Sequence, residues 1–350
     1  MRMFQVCVCG QPLQCNEAPT PEPKGSEILL KILAAGVCHS DLHLADGWFD
    51  LGGGKKLSLA DRGMKLPVTL GHENVGEVVA VGPDAKSVKI GARILAHPWI
   101  GCGICGPCSR GEENLCRTMR SLGVFTNGGY ADYMIVPHPR YLFDIGELDS
   151  TRAAPLACSG VTTFGALKKV STIKTEPTVI IGAGGLGLMC QALHKMMGGH
   201  SAIVIDTDPV KRAAAKKAGA AHVVDGGAPN ASQQIIDITN GGAWAVIDLV
   251  GSSQSARIGY ESLIKGGKYI IVGLYGGDLT VSLPPIPMRA QTIQGSYVGS
   301  LPEMKELIEL VKSKGLPPVP VATRPLKDVN AVMDQLRAGK VVGRVVLTPA

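Results

Sequence analysis

The sequence predicts an α/β chain in two parts, a β-rich part followed by a doubly wound parallel sheet. Three observations predict it. Up to about residue 150, glycine and proline break the chain into short β-like runs. After about residue 152, apolar strands alternate with helical stretches, the rhythm of βαβ units. A glycine-rich turn, Gly182-x-Gly184-x-x-Gly187, sits where the first of those strands meets its helix.

The elements follow in order. Residues 27–33 and 75–81 read as strands among turns. In the second part, strands are expected at 178–181, 202–206, 245–250 and 268–274, with helices at 186–197 and 210–218. From about 296 the chain returns to proline-rich loops, one clear helix at 302–313 and a final strand at 341–347. Residues 50–65, with Gly52-Gly53-Gly54 and several lysines, read as a flexible loop near a cleft entrance or as an inert surface excursion. No internal repeat or low-complexity segment is visible.

Composition narrows the function. The chain has 350 residues, 45% hydrophobic and 18% charged, which suits two globular domains. No apolar run reaches membrane-spanning length, so a soluble protein with no membrane partner is expected. The first residues lack a signal-peptide core, and ten cysteines without one point to a reducing cytoplasm. The net charge of +6 is dispersed, as at Lys168-Lys169 and Lys216-Lys217, so no nucleic-acid partner is expected.

Cys102, Cys105, Cys108 and Cys116 form the densest chemical signal, with spacings of two, two and seven residues. Four thiolates in a glycine-rich loop suit a closed, structural tetrahedral zinc site, with two disulfides as the alternative in a secreted chain. Cys7, Cys9, Cys15 and Cys190 read as ordinary thiols.

The glycine turn implies a dinucleotide. Gly182 makes the tight turn, Gly184 admits the pyrophosphate, and Gly187 lets helix and strand pack closely. The anion then meets free N–H groups at a helix N-terminus. Asp206 lies nineteen residues beyond Gly187 at the end of the next strand. Its charge suits ribose hydroxyls and, with Asp208 nearby, repels a 2′-phosphate, so NAD is expected over NADP.

Cys38, His72 and Cys158 sit in three separate segments. Each alone reads as structural before it reads as a ligand: Cys38 as a buried thiol, His72 as a turn histidine, Cys158 as a small apolar filler. A Cys₂His set with one open position is an attested catalytic zinc site, but spacing does not show that these three converge.

Taken together, the chain resembles the zinc-dependent medium-chain alcohol dehydrogenases over essentially its whole length. The matching pieces are Cys38-His39-Ser40-Asp41-Leu42-His43, Gly71-His72-Glu73-x-x-Gly76-x₅-Gly82, the four-cysteine lobe, Cys158-Ser159-Gly160-Val161-Thr162, and the glycine turn. The resemblance implies a GroES-like catalytic domain made of residues 1–152 and 296–350, with a lobe at about 97–120. It implies a Rossmann NAD-binding domain at 153–295. Cys38, His72 and Cys158 would then bind a catalytic zinc, with Glu73 an alternative ligand, and the lobe a second, structural zinc. The implied reaction interconverts primary or secondary alcohols with aldehydes or ketones, by hydride transfer from a zinc-bound alkoxide to NAD. Ser40 and His43 would relay the alcohol proton to solvent. His39, Thr162, Gly185, Leu186, Arg212, Val250, Gly251, Val272, Gly273, Leu274, Val298 and Arg344 would complete the cofactor site. Arg344 reads equally as a solvated surface arginine. Trp48, Phe49, Trp99 and Tyr297 would wall the substrate pocket. The resembling branch is tetrameric, so a homotetramer is expected. A polyol dehydrogenase, a zinc-free quinone or enoyl reductase, and a zinc-binding NAD-sensing regulator are the rival readings.

Overall fold

The computed structural model describes residues 1–171 and 175–349. Its two large sheets are of opposite character, and a small sheet of Gln14–Glu17, Arg2–Val6 and Val68–Thr69 and a two-stranded hairpin accompany them. The first has seven strands in a largely antiparallel arrangement. In spatial order they are Leu142–Asp144, Arg93–Ala96, Glu73–Val81, Ile28–Val37, Arg344–Thr348 and Val321–Pro325, with Tyr133–Val136 also pairing to Ile28–Val37. The C-terminal strand lies antiparallel to Ile28–Val37, with Val345 opposite Val37. The two ends of the chain therefore share one sheet.

The second sheet has six parallel strands, ordered His222–Asp225, Ala202–Asp206, Thr178–Ile181, Ala243–Asp248, Leu263–Ile271 and Thr292–Gly295. Its central strands are apolar throughout because helices cover both faces. Alternate residues divide between two cores. Ile180, Val204 and Ile247 pack on one side with helices Ser159–Val170 and Gly185–Met196. Val179, Ile181, Ile203 and Val246 pack on the other with Ile235 and Ile258. Each such fully buried aliphatic side chain contributes about 1.5–3 kcal/mol. No helix among the described residues is long and apolar enough to cross a membrane.

The tail holds more structure than its prolines suggest. Beyond the expected helix, observed at Leu301–Lys314, a second helix runs from Val329 to Arg337 and buries Val329, Val332 and Met333 in the β-rich core. Its apolar stripe is short, which hid it in the sequence. The 50–65 segment holds regular structure at its start. Strands Trp48–Asp50 and Lys56–Ser58 pair as a hairpin. Its tip approaches the other domain so closely that a Cβ on Gly52 would lie 2.7 Å from the Gly277 carbonyl.

Candidate active site

The four-cysteine lobe is built from tight turns. Cys105 leads into the short helix Gly106–Ser109, and a 3₁₀ turn, Glu113–Leu115, carries the chain to Cys116. Cys105 Sγ lies 3.4 Å from Cys108 Sγ and 3.8 Å from Cys116 Sγ, and Cys102 Sγ lies 3.9 Å from Cys108 Sγ. A tetrahedral zinc with sulfurs at about 2.3 Å needs them about 3.8 Å apart. All ten cysteines are free, so the disulfide alternative is not adopted. Backbone N–H groups of Ile104 and Cys105 pull the Cys102 thiol down to about 6, while burial pushes Cys108 up to about 12. A divalent cation resolves that conflict by letting all four ionise. The lobe therefore fits zinc.

The dispersed trio also converges. Cys38 follows the strand Ile28–Val37 and caps helix His39–Asp46, and Cys158 caps helix Ser159–Val170. A helix N-terminus favours a thiolate. His72 precedes the strand Glu73–Val81. One donor atom from each of Cys38, His72 and Cys158 falls within 4.8 Å of the others, and all three residues are buried. The neighbouring Cys158 holds Cys38 well below the usual thiol range, while Cys38 and burial push Cys158 well above it. A cation between the two sulfurs would let both ionise. His72 Nε2 is buried without a partner. The trio fits a metal that takes soft and imidazole ligands.

Behind the trio stands a buried support. Asp41 Oδ1 faces His72 Nδ1 at 3.2 Å, and Asp41 Oδ2 accepts from the Cys38 N–H at 2.8 Å. Burial opposes a charge on His72, but Asp41 outweighs it and raises the imidazole well above its usual range. Tyr130 donates its hydroxyl to Asp41 Oδ2 at 2.7 Å. Its ring lies directly under Gly71, where a Cβ would sit 2.5 Å from Tyr130 Cδ1. One acid and one phenol therefore orient two of the three candidate ligands. Neither Asp41 nor Tyr130 was picked out as a site residue from sequence. Asp41 lay inside the quoted segment; Tyr130 had no signal.

A cleft of about 450 Å³ joins the trio to the glycine turn. Cys38, Ser40, His43, Cys158 and Thr162 line one end, and Gly182, Gly184, Gly185, Leu186, Gly187 and Asp206 line the other. Gly182 has φ +99°, and a Cβ at Gly187 would collide with the Gly182 carbonyl. Gly184 has open space where its Cβ would stand, which leaves room for a phosphate at the N-terminus of helix Gly185–Met196. Asp206 accepts from the Ala183 and Asp208 N–H groups at 2.7 and 2.9 Å. The cleft fits a dinucleotide. His39, Val250, Val272, Gly273, Leu274, Val298 and Arg344 line it too, as do Trp99 and Tyr297, whose ring centres are 6.4 Å apart.

Several expectations need correction. Arg212 does not line the cleft. It donates to the Asp206 carbonyl at 2.8 Å and pairs with Asp225 at 3.1 Å. Lys211, its neighbour, lines the cleft instead. One step of the helix Pro209–Lys217, about 100°, separates the two. Gly251 stands behind the lining and packs against Gly273. Trp48 lies outside the cleft with Lys56 Nζ 3.7 Å from its ring centre, and Phe49 packs on His43 at 4.8 Å. Glu73 follows His72 directly and is not one of the three residues whose donor atoms lie within 4.8 Å of one another. Its carboxylate pairs with Arg344, and burial pushes it up to about 7 against that pull. Arg344 is accordingly buried, not a solvated surface arginine.

Comparison with known proteins agrees with this geometry. Residues 24–147 match the alcohol dehydrogenase GroES-like domain, and residues 185–313 match the zinc-binding dehydrogenase domain. An NAD-dependent alcohol dehydrogenase of Sulfurisphaera tokodaii is 40% identical over the full length of both chains. A D-arabinose 1-dehydrogenase (NADP(+)) of Saccharolobus solfataricus is 33% identical, covering 97% of this chain and 95% of the relative. The crystal structure of an alcohol dehydrogenase from Aeropyrum pernix superposes with a TM-score of 0.90 at 31% identity, covering all of both chains. With both domains matched and full-length relatives at this identity, the chain belongs to the zinc-binding, GroES-like alcohol dehydrogenase family.

Proposed function

We propose that this chain is a zinc- and NAD-dependent alcohol dehydrogenase. It interconverts primary or secondary alcohols with aldehydes or ketones. The observation that carries the reading is the convergence of Cys38, His72 and Cys158 at one end of a cleft whose other end is the glycine turn. When bound, zinc supplies a Lewis acid that makes an alcohol hydroxyl acidic near neutral pH, and NAD supplies the hydride acceptor.

The chain's own residues do the rest. Cys38, His72 and Cys158 hold the metal, and the four-cysteine lobe holds a second, structural zinc. The helix N-terminus at Gly185 takes the pyrophosphate. Asp206 takes the adenosine ribose and disfavours a 2′-phosphate, with Lys211 beside it in the cleft. Trp99 excludes water beside the trio and is itself buried, its ring centre 5.7 Å from that of His72. Ser40 Oγ, 3.8 Å from Cys38 Sγ, accepts a hydrogen bond from the substrate hydroxyl and passes its own hydroxyl proton on towards His43 as it takes the substrate's. His43 lies one turn further along the same helix. Burial and the nearby His39 push its imidazole below the usual range, so it is neutral and ready to take that proton at physiological pH.

The free cysteines support a cytoplasmic setting. The edge strand Thr292–Gly295 leaves its outer side unpaired and is exposed throughout, which supports self-association into the homotetramer expected from sequence. Sugar or polyol oxidation is a second reading, favoured by the D-arabinose 1-dehydrogenase relative. The test is zinc per chain together with reduction of NAD and of NADP on primary, secondary, aromatic and polyhydric alcohols. Two zincs, NAD preference and turnover of simple alcohols are expected. Equal kcat/KM for the two cofactors would remove Asp206 from cofactor selection, and turnover confined to polyols would favour the second reading.

A further inference from the structure

We propose that Asn114, inside the four-cysteine lobe, is a positioning residue for the dinucleotide cleft. It sits in the turn between Cys108 and Cys116, is itself buried, and donates from Nδ2 to the Tyr297 carbonyl at 2.9 Å. Its Oδ1 is buried with no partner. A buried amide that satisfies only its donor is costly unless that donor matters.

The bond lands on a sensitive stretch. Residues 296–300 carry the chain from the last strand of the parallel sheet, Thr292–Gly295, into helix Leu301–Lys314. Val298 has φ +41°, the left-handed region that a β-branched residue rarely enters. Such a conformation persists only where the surroundings hold it. Before Val298, Ser296 N–H donates to the Ile271 carbonyl at 2.8 Å and Asn114 grips Tyr297. After it, Gly299 is wedged so that a Cβ would stand 3.0 Å from the Val161 carbonyl, and Ser300 caps the helix with Glu303. Val298 packs against Cys38, Trp99 and Cys158 and lines the cleft. The lobe thus fixes a cleft wall through one side chain, with no atom of its own ligands in the cleft.

The inference rests on the dinucleotide occupying this cleft. The test uses Asn114→Ala and Asn114→Asp in the full-length protein, with zinc content, thermal midpoint and NADH affinity by fluorescence titration. Both variants are expected to keep the lobe zinc. The alanine variant should bind NADH about three- to tenfold more weakly, and the aspartate variant at least as weakly, since a carboxylate sets acceptor against acceptor at Tyr297. KM for NAD should rise in step. NADH affinity within twofold of wild type in both variants, with zinc retained, would overturn the proposal. Loss of lobe zinc in both would also overturn it, because Asn114 would then serve the lobe alone. Wild-type protein that binds no NADH would instead sink the dinucleotide reading beneath it.

Discussion

Two cysteine clusters in this chain solve the same chemical problem in opposite ways. The lobe gathers Cys102, Cys105, Cys108 and Cys116 within fifteen residues, by local turns, near the surface. The trio gathers Cys38, His72 and Cys158 from segments spread over about a third of the chain, and all three are buried at the end of the cleft. A local cluster needs only short loops to close, so its cost in chain entropy is small. The trio needs two sheet strands and two helix starts in register before any ligand meets another. The lobe has four sulfurs and no room for a substrate. The trio has three donors and faces the cleft. Closure by four ligands suits stability, and an open position suits chemistry.

Breaking the trio should have the largest effect. Cys38→Ala is expected to lower kcat/KM by at least about 10³-fold and to leave one zinc per chain. Metal analysis with steady-state kinetics checks it, and near-normal turnover would remove the trio as the reactive centre. Breaking the lobe should act on stability instead. Cys105→Ala is expected to lose the lobe zinc and lower the thermal midpoint by on the order of 10 °C, as read by calorimetry. An unchanged midpoint would mean that the lobe holds nothing together.

A finer change separates the clusters kinetically. Tyr130→Phe keeps the ring under Gly71 but removes the hydroxyl from Asp41. Release of one zinc to a chelator should quicken by about tenfold, while release of the lobe zinc stays as in wild type. Equal acceleration at both sites would show general loosening rather than a role at Asp41.

The smallest effect concerns the foot of the lobe. His97 is fully buried, neither ring nitrogen has a partner, and burial pushes its imidazole down to about 3. Its ring stacks at 6.5 Å on Tyr141, whose hydroxyl meets the backbone of Gly101. The unfolded chain takes up this proton near pH 6.5, and the folded chain only near 3. Folding therefore loses stability as pH falls through that window, by up to about 1.4 kcal/mol per unit. Denaturant titrations between pH 7 and 5 should show a shallower slope for His97→Phe. Parallel slopes would place the acid sensitivity elsewhere.

Much of this was legible before any coordinates. The lobe was readable because its ligands are neighbours in sequence. The dinucleotide turn was readable because its glycines answer to backbone geometry within six residues. Asp206 was readable from its distance to that turn. Arg212 is turned from the cleft because successive helical side chains point about 100° apart, and Lys211 holds the inward position. Trp48 and Phe49 were misplaced because closeness to a motif in sequence does not set the direction of a hairpin.

By itself, then, the sequence determined the two-part α/β architecture, the lobe, the glycine turn and the ligand-type residues. Local spacing, periodicity and residue chemistry carry that information. Only the tertiary structure decided that Cys38, His72 and Cys158 meet, that Tyr130 and Asp41 stand behind them, that Arg344 pairs with Glu73, and that Asn114 reaches Tyr297. Apart from the pairs among Cys38, Asp41 and His72, those contacts join residues from 86 positions apart (His72 and Cys158, 158 − 72) to 271 (Glu73 and Arg344). They exist because two sheets and their helices pack in one arrangement, and pairings at such range leave no periodic trace in the chain.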